Sequence, residues 1–158
     1  MTRNLQIASI VNMSLGGLFI LIGFVTPAWI IATNASWGLL GACGYSTCIS
    51  YVSRPAKLSA ALALLVLSFI MEFVGVILVG VGCGCSGPKK NLILGGSVLS
   101  IVSAFFSVVG IAVAVSFFFS VSSTVTLGYS FGMTLLGAIL ALVAGILGIK
   151  AYKTFESE

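Results

Sequence analysis

Histidine is absent from this 158-residue chain. Ser-His and Cys-His catalysis and histidine-held metal are excluded with it. Charge is scarce as well. Charged residues make up 6% of the sequence, against about 25% in a soluble domain. No charge lies between Arg3 and Arg54 or between Lys90 and Lys150, and Glu72 is alone between Lys57 and Lys89. No basic run reaches three residues, so nucleic acid is not an expected partner. These absences exclude a soluble helical core. They point to no cofactor, no metal site and no enzyme.

Hydrophobic residues fill 59% of the chain. A hydrocarbon core about 30 Å thick needs about 20 apolar residues per helix. Four blocks meet that length, at residues 5–25, 58–81, 92–119 and 129–149. The first is too long for a signal-peptide core and ends in Thr26-Pro27-Ala28-Trp29, so it reads as an uncleaved span. The third is long enough to tilt or to project beyond the lipid. One domain is expected, an all-α membrane fold with a left-handed four-helix bundle, in contact with membrane lipid.

Positive charge orients such a bundle. Arg3, Lys89, Lys90, Lys150 and Lys153 fall on one side, and Arg54 and Lys57 on the other. Both termini are therefore expected in the cytoplasm, with residues 26–57 forming the first extracellular loop. That loop reads as a small antiparallel sheet. Trp29 to Thr33 is β-prone, Asn34-Ala35-Ser36 turns, and Trp37 to Cys43 and Cys48 to Val52 flank a hairpin-sized gap. Cys43 and Cys48 on an oxidising face are expected to form a disulfide. Asn34 heads an N-glycosylation sequon.

Trp29, the run Trp37-Gly38-Leu39-Leu40, and Cys43 with Cys48 lie in this order between the first two of four spans. The pattern resembles the claudin signature. Thr26-Pro27-Ala28-Trp29 closing span one, and Gly128-Tyr129-Ser130-Phe131-Gly132 opening span four, are similar to the same superfamily. That group includes the peripheral myelin protein, the epithelial membrane proteins and the claudin-like auxiliary subunits of channels and receptors. Leu40 stands where claudins carry a Trp. The first loop is shorter than a claudin's, and Phe155-Glu156-Ser157-Glu158 lacks a hydrophobic last residue. The resemblance implies a non-enzymatic plasma-membrane protein that binds and modulates another integral membrane protein, a channel or receptor, from the side. The alternative is a junction protein that associates with itself, and a third reading is a channel or transporter in its own right. Trp37, Leu39, Leu40 and Tyr45 are the expected partner contacts.

Glu72 is the sole ionisable group deep in a span. It is expected to hydrogen-bond Asn12 or Ser100 within the bundle, as structural glue, a partner contact or an ion-handling group. Cys83 and Cys85 are juxtamembrane and are candidates for palmitoylation or inert thiols. Gly96, Ser100 and Ala104 stripe span three, and Gly137, Ala141 and Gly145 stripe span four. Such stripes let helices approach closely, inside the bundle or against a partner helix.

Overall fold

The computed structural model describes residues 2–32, 35–44, 47–51, 53–84, 89–121 and 126–156. Four helices carry most of the chain: α1 (Thr2–Val25), α2 (Ala56–Gly84), α3 (Lys90–Val121) and α4 (Tyr129–Glu156). In lipid a spanning segment must satisfy its backbone internally, which a helix does. All four helices are long and apolar enough to cross a membrane. Their outward faces carry exposed Ile70, Phe73, Ile77, Phe105, Ile139 and Ile146. This is a multi-pass membrane protein.

The helix ends follow local chemistry. Thr26 precedes Pro27, and a residue before proline is pushed out of the α region. α1 accordingly stops at Val25, and the Thr26 hydroxyl closes its last turn on the Ile22 carbonyl at 2.7 Å. At the start of α2, Pro55 lends its carbonyl to the amides of Leu58 and Ser59. The helices run past the apolar blocks. α3 has 32 residues, or about 48 Å at 1.5 Å per residue, so it reaches beyond the hydrocarbon.

The helices form a ring in which α1 touches α4 and α2, α2 touches α3, and α3 touches α4. The α1–α2 seam is the sparsest of these. At the end where α1 and α3 finish sits a five-stranded antiparallel sheet in the order β4-β3-β2-β1-β5. Its strands are β1 (Ile30–Ala32), β2 (Ala35–Trp37), β3 (Gly41–Gly44), β4 (Cys48–Ser50) and β5 (Thr126–Leu127). The register pairs Ile30 with Trp37, Trp37 with Ala42, and Cys43 with Cys48.

Two features differ from the sequence expectation. The sheet is not built from the first loop alone, because β5 comes from the connection between α3 and α4 and pairs with β1. The stretch from Trp37 to Cys43 is also not one strand. It turns at residues 38–40, where the Gly38 amide donates to the Gly41 carbonyl at 2.8 Å. A Cβ on Gly38 would lie 2.5 Å from Pro27 Cα, so the turn closes against the end of α1 only without a side chain.

The sheet is anchored from below. Trp29 is 0% exposed. Its indole Nε1 donates to the Gly23 carbonyl of α1 at 2.8 Å, and its ring meets Phe131 of α4 edge to face at 6.4 Å. Ile30, Leu39, Leu58, Leu65 and Phe118 complete the core beneath the strands.

Candidate functional site

Glu72 lies sixteen residues into α2, about 24 Å along the axis at 1.5 Å per residue. Its side chain is 0% exposed and turns toward α3. Ser100 Oγ lies 2.8 Å from Glu72 Oε1 and 3.0 Å from Oε2, and 2.8 Å from the Ala141 carbonyl of α4. One serine thus joins three helices. Asn12, the other expected partner, is not involved. Its amide donates to the Ala8 carbonyl of its own helix at 2.7 Å. A short amide on α1 reaches its own i−4 carbonyl more easily than it reaches across the loosest seam of the ring.

Next to Glu72, α2 and α3 are stitched by hydroxyls. Ser68 Oγ lies 2.6 Å from Ser107 Oγ and 3.0 Å from Ser103 Oγ, and Ser103 Oγ donates to the Ser68 carbonyl at 2.9 Å. Ser97, Ser100, Ser103 and Ser107 are all buried on one face of α3. Their spacing of three, three and four residues is a helical stripe. The Gly96-Ser100-Ala104 pattern marks the same seam by its small residues but leaves out the three other serines. Close backbone approach goes with it: a Cβ on Gly96 would lie 2.7 Å from the Gly75 carbonyl oxygen.

The opposite flank of α2 is open. A cleft of about 280 Å³ runs between α1 and α2, lined by Met13, Gly17, Leu21, Phe69, Phe73 and Glu72 among others. Gly17 faces Glu72 across it, and a Cβ there would meet Glu72 Cγ at 3.5 Å, an ordinary contact. Hydrogen-bonding side chains of α1 reach their own helix or α4, as Ser9 does to the Ala144 carbonyl at 2.8 Å.

The second candidate surface is the sheet. Cys43 and Cys48 are joined by a disulfide, with their Cα atoms 4.0 Å apart. It pins β3 to β4, and β4 is exposed along its length. Ile49 in its centre is 67% exposed. Beyond it, Arg54 and Lys57 are exposed at the start of α2. Tyr51 is half-buried, and its hydroxyl donates to the Gly38 carbonyl at 3.3 Å. Burial raises the Tyr51 hydroxyl above its ordinary value of 10.0, and the nearby Arg54 partly offsets this.

The expected partner contacts divide. Leu39 is 0% exposed and belongs to the core under the sheet, which corrects its assignment as a contact. The tight turn at Gly38 drives it inward. Trp37 is half-buried and packs on the same core, and Leu40 is half-buried. Tyr45, Asn34 and Cys85 lie outside the described residues. Cys83 is half-buried and packs against the cluster of Met13, Val79 and Ala144. No group of three or more metal-ligating side chains occurs among the described residues.

No protein-family model matches the chain, and no curated protein matches it.

Proposed function

We propose that this chain is a non-enzymatic, claudin-like protein of the plasma membrane that binds another integral membrane protein, a channel or receptor, from the side and modulates it. Both termini are cytoplasmic in this reading, and the sheet is outside. Five Lys and Arg residues at the end opposite the sheet, against two beside it, support that orientation. Among the described residues the buried polar side chains are hydroxyls, the Gln6 amide near the start of α1 and one acid, a lining more suited to packing than to an ion path.

The observation that carries the reading is the β4 edge. It is exposed along its length, pinned by the Cys43–Cys48 bond, and presents Ile49 to the surroundings. Edge strands have unpaired backbone groups and are ready templates for pairing with another chain. The disulfide lowers the ordering cost of such a contact by fixing the strand beforehand.

The test is copurification in mild detergent from the native membrane, comparing wild type with Ile49→Lys. The expected result is one integral membrane protein held by wild type and held about tenfold more weakly by the variant, a change of ~1.4 kcal/mol. Recovery of further copies of this chain alone would favour self-association. Ion flux through purified protein in liposomes would overturn the proposal in favour of a channel.

A further inference from the structure

Three acceptor oxygens converge on one hydroxyl. Ser100 Oγ lies 2.8 Å from Glu72 Oε1, 3.0 Å from Glu72 Oε2 and 2.8 Å from the Ala141 carbonyl oxygen. A serine owns one hydroxyl hydrogen and two acceptor lone pairs. It can serve either the carboxyl group or the carbonyl in full, not both. Close oxygen pairs at these distances need a hydrogen between them. A second hydrogen must therefore come from another group.

The neighbours are already committed. Asn12 Nδ2 donates to the Ala8 carbonyl at 2.7 Å. Ser103 also hydrogen-bonds Glu72, but its single hydrogen is shared with the Ser68 carbonyl at 2.9 Å and does not lie on either contact of Ser100. The Ser68 hydroxyl sits among Ser103 and Ser107 oxygens. Ser97 Oγ donates to the Ile93 carbonyl at 2.7 Å. No cation is available to balance a carboxylate at this depth. No Lys or Arg occurs between Arg3 and Arg54, between Lys57 and Lys89, or between Lys90 and Lys150. The remaining hydrogen is the carboxyl group's own.

We infer that Glu72 is a neutral carboxylic acid that donates its hydrogen to Ser100 Oγ, while Ser100 donates its hydroxyl hydrogen to the Ala141 carbonyl. The result is a directed chain from α2 through α3 to α4, with one hydrogen on the link from the Glu72 carboxyl group to Ser100 and one on the link from Ser100 to the Ala141 carbonyl. Ser100 is the positioning residue in this chain, since it accepts from one helix and donates to another. The ionised alternative would set Ser100 lone pairs against either a carboxylate oxygen or the Ala141 carbonyl. It would also leave a buried charge with no counter-charge. The assignment does not depend on any partner of the β4 edge.

Infrared spectroscopy of the full chain in lipid bilayers at neutral pH tests it. The spectrum of Glu72→Gln is subtracted from that of wild type. Glu156 and Glu158 remain in both samples and cancel. The expected result is a protonated-carboxyl C=O stretch, above the amide I band, in wild type and missing from the variant. Ser100→Ala should retain that band and move it to higher frequency, because the acid loses its acceptor. Unchanged helix content by circular dichroism qualifies each variant for comparison. A difference spectrum without a protonated-carboxyl band would overturn the inference by making Glu72 ionised. A band that Ser100→Ala leaves in place would overturn the donation to Ser100. Should Glu72→Gln not fold, the Ser100→Ala shift in an otherwise intact protein decides the question alone.

Discussion

α2 borders two seams of different kinds. Toward α3 it is closed: Ser68, Ser103 and Ser107 share hydrogen bonds, Glu72 meets Ser100, and the Gly75 and Gly96 backbones nearly touch. Toward α1 it is open, with a cleft of about 280 Å³ at the level of Glu72. The closed flank is the more polar of the two, with Ser68, Ser103 and Ser107 buried in it, whereas Met13, Leu21, Phe69 and Phe73 line the open one, so hydrophobicity does not account for the closure. In lipid there is little hydrophobic force between helices, and association rests on close packing and polar contacts. The flank with small residues and hydroxyls in register closed, and the flank without them did not.

The largest expected effect comes from wedging the closed seam. A Cβ on Gly75 would lie 3.0 Å from the Gly96 carbonyl oxygen. Gly75→Leu should destabilise the bundle by roughly 3 kcal/mol, at the upper end of overpacking costs. Denaturant titration in micelles would measure it, and a loss below about 1 kcal/mol would mean that the seam is looser than described.

Removing the disulfide sharpens the comparison by leaving both seams alone. Cys43→Ala with Cys48→Ala should cost about 2 kcal/mol, since the closed loop is short. The loss should be confined to the sheet, read as faster hydrogen exchange in β3 and β4. Equal acceleration in α2 and α3 would mean that the sheet holds the bundle together.

Ser68→Ala asks how much one hydroxyl contributes to the closed seam. The expected loss is about 0.6 kcal/mol, the average for hydrogen bonds in membrane double-mutant cycles. A double-mutant cycle with Ser107→Ala would measure the coupling directly. Coupling near zero would assign the seam to glycine packing alone.

The smallest effect lies at the sheet. Burial raises the folded-state value of Tyr51 above its unfolded value of 10.0. Its stabilising contribution is therefore whole below pH 10 and is lost as pH rises through the folded-state value. Tryptophan fluorescence should report loosening near Trp37 above that pH, and Tyr51→Phe should weaken the pH dependence. The tyrosine is half exposed, so the effect is small.

Much of this fold is legible in the sequence because charge spacing registers lipid thickness directly. The four helices, the strand-rich first loop and the Cys43–Cys48 pairing all follow from local pattern. What the sequence hid depends on tertiary placement. Thr126-Leu127 is two residues long, and nothing local marks it as the strand that pairs with β1. Leu39 looked exposed because it lies on a loop, but a turn closing on Pro27 carries it inward. The sequence favours Asn12 over Ser100 as the partner of Glu72, but α2 packs more closely on α3 than on α1, and the bond goes to Ser100. The serine stripe of α3 was the readable signal left unused, since its spacing marks the buried face.

The most direct test of the two-seam account is a pair of alanine substitutions measured under identical conditions. Gly96→Ala places a Cβ 2.7 Å from the Gly75 carbonyl oxygen, and Gly17→Ala places one 3.5 Å from Glu72 Cγ. Helix propensity favours both by about 1 kcal/mol, so the difference between them reports the seams. The account predicts that Gly17→Ala is neutral or stabilising while Gly96→Ala lowers unfolding stability by about 1–3 kcal/mol relative to it. Equal stability for the two variants, or a larger loss at Gly17, would contradict it.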